Sequence, residues 1–346
     1  MSVAYKPVLW NRNKYIYDAM LVAMVAVYLA VFYHLAPPPG ETPLDDATRN
    51  MRAFGTCAFL MLTVVLCIGP LARFDARFLP ILYNRRHFGV LTCCVALAHA
   101  YAVLGWYFAY SPTDPFVALL SSNTSFARLA GFPFEVLGIF ALLVLLVMAA
   151  TSHDFWLAFL APPVWKAMHM LVYPAYAAIV AHVALGALQG KGQAALTGIV
   201  AGGATLVCLL HLAAAWLPAP AAARSEAGMV KAGRADAVLE GRAITVALAD
   251  GSRVAIFRHK GRLSAVTNAC AHQNGPLGEG RVVDGCITCP WHGYQYRLAD
   301  GCSPPPFTEK IATYNLAVRD GDILLDPRPN PPGTRVEPVA IPGGAA

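Results

Sequence analysis

The sequence has few charged residues. Asp, Glu, Lys and Arg make up 13% of its 346 residues, against roughly 25% in an average soluble domain. Apolar residues make up 57%, and the mean hydropathy is +0.50, so an ordinary soluble globular protein is excluded. The charges that are present crowd the last third of the chain, whereas long uncharged stretches fill the first two thirds. We therefore expect a membrane part followed by a water-soluble part.

The sequence also lacks the motifs of several protein classes. No G-x-G-x-x-G run follows a predicted strand, so no dinucleotide site for NADH or flavin is indicated. No P-loop, Ser-His-Asp set or paired-carboxylate site supports phosphoryl transfer or hydrolysis, and no arginine-aromatic patch indicates a nucleic-acid partner. Nine cysteines in a chain of this length do not form a dense disulfide scaffold. Together with ten histidines they indicate metal or cofactor binding.

Six stretches are long and apolar enough to cross about 30 Å of hydrocarbon as helices. They cover residues 15–35, 51–71, 88–110, 134–150, 165–188 and 194–217. No A-x-A cleavage site follows the first, which we interpret as a retained helix rather than a signal peptide. Alternate loops carry eleven Lys and Arg residues on one side and four on the other. This asymmetry predicts both termini in the cytoplasm, and we expect the membrane to be the bacterial inner membrane.

A Pro/Ala/Arg-rich segment over residues 218–237 is expected to be a flexible linker. Beyond it, alternating apolar segments are separated by turn pairs: ITVAL precedes Asp250-Gly251, VAIF precedes Lys260-Gly261, and DILL follows Asp320-Gly321. The sequence thus predicts an all-α six-helix membrane bundle over residues 1–217, a small all-β domain over 238–330 and a Pro/Gly-rich tail over 331–346.

The predicted β domain contains two mixed cysteine and histidine pairs. Cys270-Ala-His272 and Cys289-Pro-Trp-His292 are separated by sixteen residues and lie in Gly/Pro-rich stretches. A structural zinc site is the alternative interpretation, although zinc fingers favour C-x-x-C and H-x₃₋₅-H pairs. The arrangement resembles a Rieske domain. That resemblance implies that Cys270 and Cys289 hold one iron of a [2Fe-2S] cluster and that His272 and His292 hold the other.

Departures inside this motif bear on its redox chemistry. Rieske proteins of quinol-oxidising complexes have two additional cysteines that form a disulfide, and Gly275 and Trp291 stand in those places here. Tyr294 stands where those proteins have a serine that hydrogen-bonds cluster sulfur, whereas Tyr296 keeps the usual tyrosine. The resemblance therefore implies a disulfide-free, ferredoxin-like cluster, and fewer hydrogen bonds to sulfur imply a lower potential.

Histidines inside the predicted spans indicate function, because a polar side chain in hydrocarbon is costly. We predict His99 and His182, well inside the third and fifth spans, as axial haem ligands rather than buried core histidines. Both spans run in the same direction; His99 lies 12 residues beyond His87, and His182 lies 13 beyond His169. We expect His99 opposite His182 and His87 opposite His169, two levels about 18 to 20 Å apart at ~1.5 Å per residue.

The fifth span cannot present both of its histidines from one face of a straight helix. Thirteen residues turn an ideal helix about 140° away from the starting face. Pro174 lies between His169 and His182 and can kink or rewind the helix. No proline separates His87 from His99, and His153 and His211 are alternatives to His87 as the second inner ligand.

These spans resemble the ferric reductase-like transmembrane domain of ferric reductases, NADPH oxidases and the membrane haem subunit of bacterial methionine sulfoxide reductase systems. The similarity covers about residues 50–215 and rests on Arg85-Arg86, Gly89 and the pair His169-x₁₂-His182. It implies b-type haem, at least one and as many as two. The bacterial subunit usually has an apolar residue where His87 stands.

The two resemblances together imply a lipid-embedded electron-transfer protein. A cytoplasmic donor protein would reduce the [2Fe-2S] cluster, and haem b would pass single electrons to a quinone or a periplasmic acceptor. A subunit of a larger respiratory or photosynthetic complex stays an alternative. A superoxide-producing oxidase is another, although two histidine ligands leave no open iron position for oxygen.

Overall fold

The computed structural model describes residues 12–35, 43–110, 112–129, 131–152, 162–190, 192–216, 225–226, 228–272, 275–290 and 293–341. Two predicted site residues, His153 and His292, lie outside this part of the chain, as does Trp291. The chain divides into two compact units. The helical unit holds the helices between Arg12 and Trp216, and the β unit holds the described strands from Ser225 onward.

The helical unit contains the predicted spans. Its helices are α1 (Arg12–Leu35), α2 (Pro43–Phe74), α3 (Leu79–Tyr110), α4 (Pro115–Ser121), α5 (Phe134–Thr151), α6 (Pro162–Met170), α7 (Val172–Leu185) and α8 (Ala194–Ala215). Six stretches of the described residues are long and apolar enough to cross a membrane: Tyr15–Leu35, Asp46–Phe74, Asn84–Phe108, Phe134–Thr151, Ala167–Gln189 and Ala194–Ala215. They coincide with the six predicted spans, so the all-α membrane bundle is confirmed.

The fifth span is interrupted at Leu171, between α6 and α7. Pro174 has no N–H to donate to the carbonyl of Met170, and its ring disfavours a regular turn there. The Leu171 N–H instead donates to the Met168 carbonyl at 3.2 Å, three residues back, which is the tighter spacing of a 3₁₀ turn. The rewinding predicted from Pro174 is therefore present, one turn before the proline.

Small and aromatic side chains bring the helices of this unit together. Ala141 of α5 and Ala175 of α7 are 2% and 0% exposed, which allows the two backbones to approach closely. The rings of Phe59 on α2 and Tyr176 on α7 stack with centroids 5.6 Å apart. The Tyr176 hydroxyl also hydrogen-bonds the Thr63 hydroxyl at 2.9 Å, so this buried polar pair is satisfied.

The β unit consists of short antiparallel strands in three sheets. The strands are β1 (Ser225–Glu226), β2 (Met229–Arg234), β3 (Ala243–Ala247), β4 (Arg253–His259), β5 (Arg262–Thr267), β6 (Arg281–Val283), β7 (Cys286–Thr288), β8 (Gln295–Arg297), β9 (Thr313–Tyr314), β10 (Leu316–Arg319), β11 (Asp322–Leu325) and β12 (Val339–Ala340). The sheet orders are β1-β2-β11-β10, β12-β5-β4-β3 with β9 also on β5, and β6-β7-β8. The small all-β domain is thereby confirmed.

Strand β4 separates the two apolar cores of the β unit. Val254 and Ile256 belong to the core that includes β11, whereas Ala255 and Phe257 belong to the core that includes the predicted ligands Cys270 and Cys289. Alternate residues of a strand point to opposite faces, so β4 is buried on both.

Two hairpins, β4–β5 and β10–β11, turn at predicted turn pairs. Lys260 and Gly261 have φ of 51° and 67°, and Asp320 and Gly321 have φ of 52° and 80°. Positive φ at both central residues is what a type I′ hairpin turn requires. The local sequence therefore determines these two turns.

The β unit starts earlier and ends later than the predicted limits of 238 and 330. Strand β2 lies within the expected linker and pairs with β11, with a register shift opposite Ile323 and Leu324. Strand β12 lies within the expected tail and pairs with β5. Neither segment has a strong alternating pattern in its sequence. Each is a strand because it pairs with a partner strand that is distant in sequence.

Candidate iron-sulfur and haem sites

The two motif loops of the β unit are closed in the same way. The Cys270 N–H donates to the Gly275 carbonyl at 2.9 Å, and the Cys289 N–H donates to the Tyr294 carbonyl at 2.8 Å. Each cysteine is thus the first residue of a six-residue loop. Cys270 and Cys289 are each 1% exposed and lie in one apolar cluster. Two buried thiols in paired loops fit the donor set of a [2Fe-2S] cluster.

A tyrosine hydroxyl reaches one of these thiols. The Tyr296 hydroxyl lies 3.3 Å from the Sγ of Cys270, and the Tyr296 side chain is 0% exposed. Burial raises the pKa of Tyr296 well above its ordinary value, with the Cys270 thiol adding to the effect. The phenol therefore stays protonated and can donate to sulfur.

Tyr294 links the two loops. Its ring lies parallel to that of His272, with centroids 4.8 Å apart and an interplanar angle of 7°. Its hydroxyl donates to a carboxylate oxygen of Glu309. Burial and this hydrogen bond raise the pKa of Tyr294. The hydroxyl that replaces the family's serine is therefore directed to Glu309.

His99 and His182 face each other in the helical unit. Their ring centroids are 6.4 Å apart and their planes are nearly perpendicular, at 86°. The facing rings predicted from helix depth are thereby confirmed. Two imidazoles on opposite sides of one metal ion have centres roughly 6 Å apart, because each metal–nitrogen bond is about 2 Å.

Both rings are oriented by backbone carbonyls. The Nδ1 of His99 lies 3.0 Å from the Met51 oxygen, and the Nδ1 of His182 lies 2.9 Å from the Phe134 oxygen. A carbonyl only accepts, so each Nδ1 carries the proton and each Nε2 keeps its lone pair for a metal. Metal-ligating histidines in proteins typically have such a partner on the second nitrogen. The pair therefore fits a bis-histidine haem.

His169 also carries its proton on Nδ1, but its partner belongs to its own helix. Its Nδ1 lies 3.0 Å from the carbonyl oxygen of Trp165, and its ring stacks on that of Trp165 with centroids 3.6 Å apart. Its Nε2 is buried and has no hydrogen-bond partner among the described residues. A buried lone pair without a donor is costly, and a metal bond would satisfy it.

His87 lies beside a carboxylate of α1. Its Nδ1 is 2.9 and 2.8 Å from the two carboxylate oxygens of Asp18. Sequence reasoning missed Asp18, which is 69 residues away and carries no motif. His211 differs, because its Nδ1 bonds the Val207 carbonyl and its Nε2 bonds the Tyr173 hydroxyl. Both nitrogens of His211 are thus engaged, which disfavours it as a ligand.

All nine cysteines lie in the described part of the chain, and none of them forms a disulfide there. Cys286 is buried, and Cys302 is partly buried with its Sγ 3.8 Å from the Asp300 carbonyl oxygen.

Paired cysteine loops on a small β unit, joined to six membrane-spanning helices, define a membrane protein with an iron-sulfur electron carrier. Two family models match the sequence of this chain. The ferric reductase like transmembrane component matches residues 54–180, and the Rieske [2Fe-2S] domain matches residues 228–315. The chain belongs to the Rieske family through its C-terminal part, which follows a ferric reductase-like membrane domain. It is therefore a multi-pass membrane electron-transfer protein.

Individual relatives match the Rieske part. Chlorophyllide a oxygenase of Oryza sativa subsp. japonica is 34% identical over 94 residues, covering 26% of this chain and 17% of that protein. The anthranilate 1,2-dioxygenase ferredoxin subunit of Burkholderia cepacia is 34% identical over 74 residues, covering 21% of this chain and 68% of the subunit. The solved ferredoxin of carbazole 1,9a-dioxygenase from Nocardioides aromaticivorans IC177 is 23% identical, with a TM-score of 0.28. The match covers 30% of this chain and 100% of that ferredoxin chain. The chain spans 17% of the rice relative's length.

Proposed function

We propose that this protein carries single electrons between a cytoplasmic Rieske cluster, b-type haem in the helical unit, and a quinone or periplasmic acceptor. The proposed location is the bacterial inner membrane with both termini in the cytoplasm. The observation that carries the proposal is the His99–His182 pair, whose rings face each other with both Nδ1 atoms held by backbone carbonyls. When bound, the cluster and the haem supply one-electron oxidation and reduction at the membrane.

The β unit would hold the cluster and set its environment. Cys270 and Cys289 are the proposed ligands on one side, and His272 and His292 are the proposed ligands on the other. The buried Tyr296 hydroxyl directs a donor at the Cys270 sulfur, and the apolar cluster around both cysteines excludes water. These residues control how strongly the site favours the reduced state.

The helical unit would hold one haem between His99 and His182, each through its Nε2. Buried Glu135 places a carboxyl group near His182. A histidine on either side leaves no open coordination position, so the residues favour electron transfer over oxygen binding. This arrangement does not support the oxidase alternative.

A second haem would use His169 as one ligand, on the strength of its buried, unpartnered Nε2. Arg85 and Arg86 lie near enough to His169 to interact with it electrostatically, which suits an anionic cofactor. His87 is the proposed second ligand, because Asp18 holds its Nδ1 in the way that an outer-shell carboxylate holds a metal-bound histidine.

The electron donor is proposed to be a separate protein on the cytoplasmic side. The Burkholderia relative is named as a ferredoxin subunit, and a ferredoxin-like cluster exchanges electrons with protein partners. We also propose that the linker lets the cluster reach both donor and haem. Residues 218–224 and residue 227 of that linker lie outside the described residues.

The test is a potentiometric titration of the purified full chain, following haem by visible absorption and the cluster by EPR. We expect a cluster of lower potential than two resolvable haem components. His182→Ala should remove one haem component and His169→Ala the other. His211→Ala is the matched control, because both of its ring nitrogens already have partners, and it should leave both components in place.

Three results would count against the proposal. A purified protein without haem absorption would remove the helical electron path. Equal haem loss in His211→Ala and His182→Ala would show that the ligands are misassigned. A cluster potential well above that of a single haem would reverse the proposed direction, toward quinol oxidation and a cytoplasmic acceptor.

A further inference from the structure

The contacts of His99 and His182 are built in the same way on two different helices. Each imidazole donates its Nδ1 proton to a backbone carbonyl of the neighbouring helix, that of Met51 in α2 or that of Phe134 in α5. Four residues after each carbonyl stands a glycine, in the runs MRAFG and FEVLG. The glycines are Gly55 and Gly138.

Neither glycine has room for a side chain. A Cβ on Gly55 would lie 2.9 Å from the Nδ1 and 3.1 Å from the Cε1 of His99. A Cβ on Gly138 would lie 2.9 Å from both the Nδ1 and the Cε1 of His182. In both places the imidazole occupies the space that any other amino acid would fill.

Helix geometry explains why the carbonyl and the glycine are four residues apart. In an α-helix the carbonyl of residue n points toward residue n+4, whose N–H it accepts. A side chain at n+4 therefore stands beside that carbonyl and screens it from a neighbouring helix. With glycine there, the second lone pair of the carbonyl is open to a donor from outside, and the two helices can pack closely.

We propose that Gly55 and Gly138 are positioning residues for the two haem ligands. Each opens one helix carbonyl to an imidazole of the adjacent helix, which fixes the tautomer and plane of His99 or His182. Helix α2 thus orients the histidine of α3, and helix α5 orients the histidine of α7. The inference rests on the proposed haem site between these histidines.

The experiment compares Gly55→Ala and Gly138→Ala with two kinds of control in the full chain. A Cβ added at Gly105 of α3 or at Gly202 of α8 would have nothing within 4 Å, whereas a Cβ added at Gly203 of α8 would lie 3.0 Å from the Phe59 ring. Gly105→Ala and Gly202→Ala control for the substitution itself. Gly203→Ala controls for tight packing that involves no ligand.

Haem content per protein and haem retention against apomyoglobin are measured, with ferric-haem EPR as a report of ring orientation. Gly55→Ala and Gly138→Ala should weaken haem retention about 10-fold or more, as loss of outer-shell support does at metal sites. The haem that remains should show altered g anisotropy, because this depends on the angle between the imidazole planes. The Gly105, Gly202 and Gly203 variants should retain haem with the wild-type signal.

A double-mutant cycle of Gly138→Ala and His182→Ala tests the inference even if Gly138→Ala folds poorly. The unfolding temperature in detergent should fall on Gly138→Ala when His182 is present. It should stay level or rise in the His182→Ala background, where the clash is gone and alanine is the better helix former. Equal destabilisation in both backgrounds, or wild-type haem retention and EPR in both glycine variants, overturns the inference and leaves the proposed function standing. Wild-type protein that lacks haem overturns both.

Discussion

The Tyr296 hydroxyl lies 3.3 Å from the Cys270 Sγ. Tyr296 is fully buried and Cys270 is 1% exposed, so water does not compete strongly for this contact. A donor to a ligand sulfur stabilises the extra negative charge of the reduced cluster. With Cys270 as a proposed cluster ligand, we therefore expect this contact to raise the reduction potential of the cluster.

Replacing Tyr296 with Phe should lower the reduction potential of the cluster by roughly 20 to 60 mV. A hydrogen bond contributes about 0.5 to 1.5 kcal/mol, and about 59 mV corresponds to a tenfold change for one electron. EPR-monitored redox titration measures the shift. Tyr294→Phe is the control, because that hydroxyl is directed to Glu309, and it should shift the potential less. An equally large shift of the potential in Tyr294→Phe would show that Tyr296 is wrongly assigned as the donor to sulfur.

Cys289→Ser should abolish the Rieske EPR signal, because a neutral hydroxyl is a poor substitute for a soft thiolate ligand. Cys302→Ser should keep it, since the Cys302 thiol lies 3.8 Å from the Asp300 carbonyl oxygen and outside the motif loops. Iron and sulfide analysis of both purified variants checks the result. Haem absorption should be the same in both, and loss of the signal in Cys302→Ser would contradict the ligand assignment.

Phe257→Ala and Ile256→Ala should separate the stability of the β unit from that of the cluster. Both side chains are 0% exposed, and such truncations cost about 2 to 5 kcal/mol. Phe257 lies in the core with Cys270 and Cys289, whereas Ile256 lies in the other core. Both variants should unfold at lower temperature, but only Phe257→Ala should lose cluster absorption faster while still folded. Equal cluster loss below the unfolding transition in the two variants would contradict this separation.

Pro174→Ala should restore the hydrogen bond from residue 174 to the Met170 carbonyl and make the fifth span more regular. The turn between α6 and α7 would rewind, which rotates His169 relative to His182. The His169-dependent haem component should weaken or shift, and the His182-dependent component should change less. Pro115→Ala is the control, because Pro115 occupies the first position of α4, where no N–H is needed. Unchanged haem spectra in Pro174→Ala would show that the interruption does not position His169.

Much of the candidate site follows from local sequence. The spans are properties of length and hydropathy, and the hairpin turns at Lys260-Gly261 and Asp320-Gly321 depend on adjacent residues that accept positive φ. The spacing of Cys270, His272, Cys289 and His292 is likewise visible in the chain itself. Helix rise places His99 and His182 at one depth, since both spans run in the same direction.

Other features depend on residues that are distant in sequence and carry no motif. Glu309 holds Tyr294 across 15 residues, and Asp18 holds His87 across 69. The strand pairing of β2 with β11 likewise joins segments about 90 residues apart. Local patterns do not report such contacts, because a carboxylate or a weakly patterned strand gains its role only from the partner that packs against it.

The two-part architecture, the membrane spans and the motif residues can all be read from local sequence, because hydropathy, turn chemistry and ligand spacing act over short stretches of chain. The choice of the protonated ring nitrogen in His99 and His182 depends instead on tertiary packing. The carbonyls of Met51 and Phe134 set the tautomers of His99 and His182, and they are accessible because Gly55 and Gly138 leave space beside them. That choice depends on how neighbouring helices pack, and so on the whole bundle.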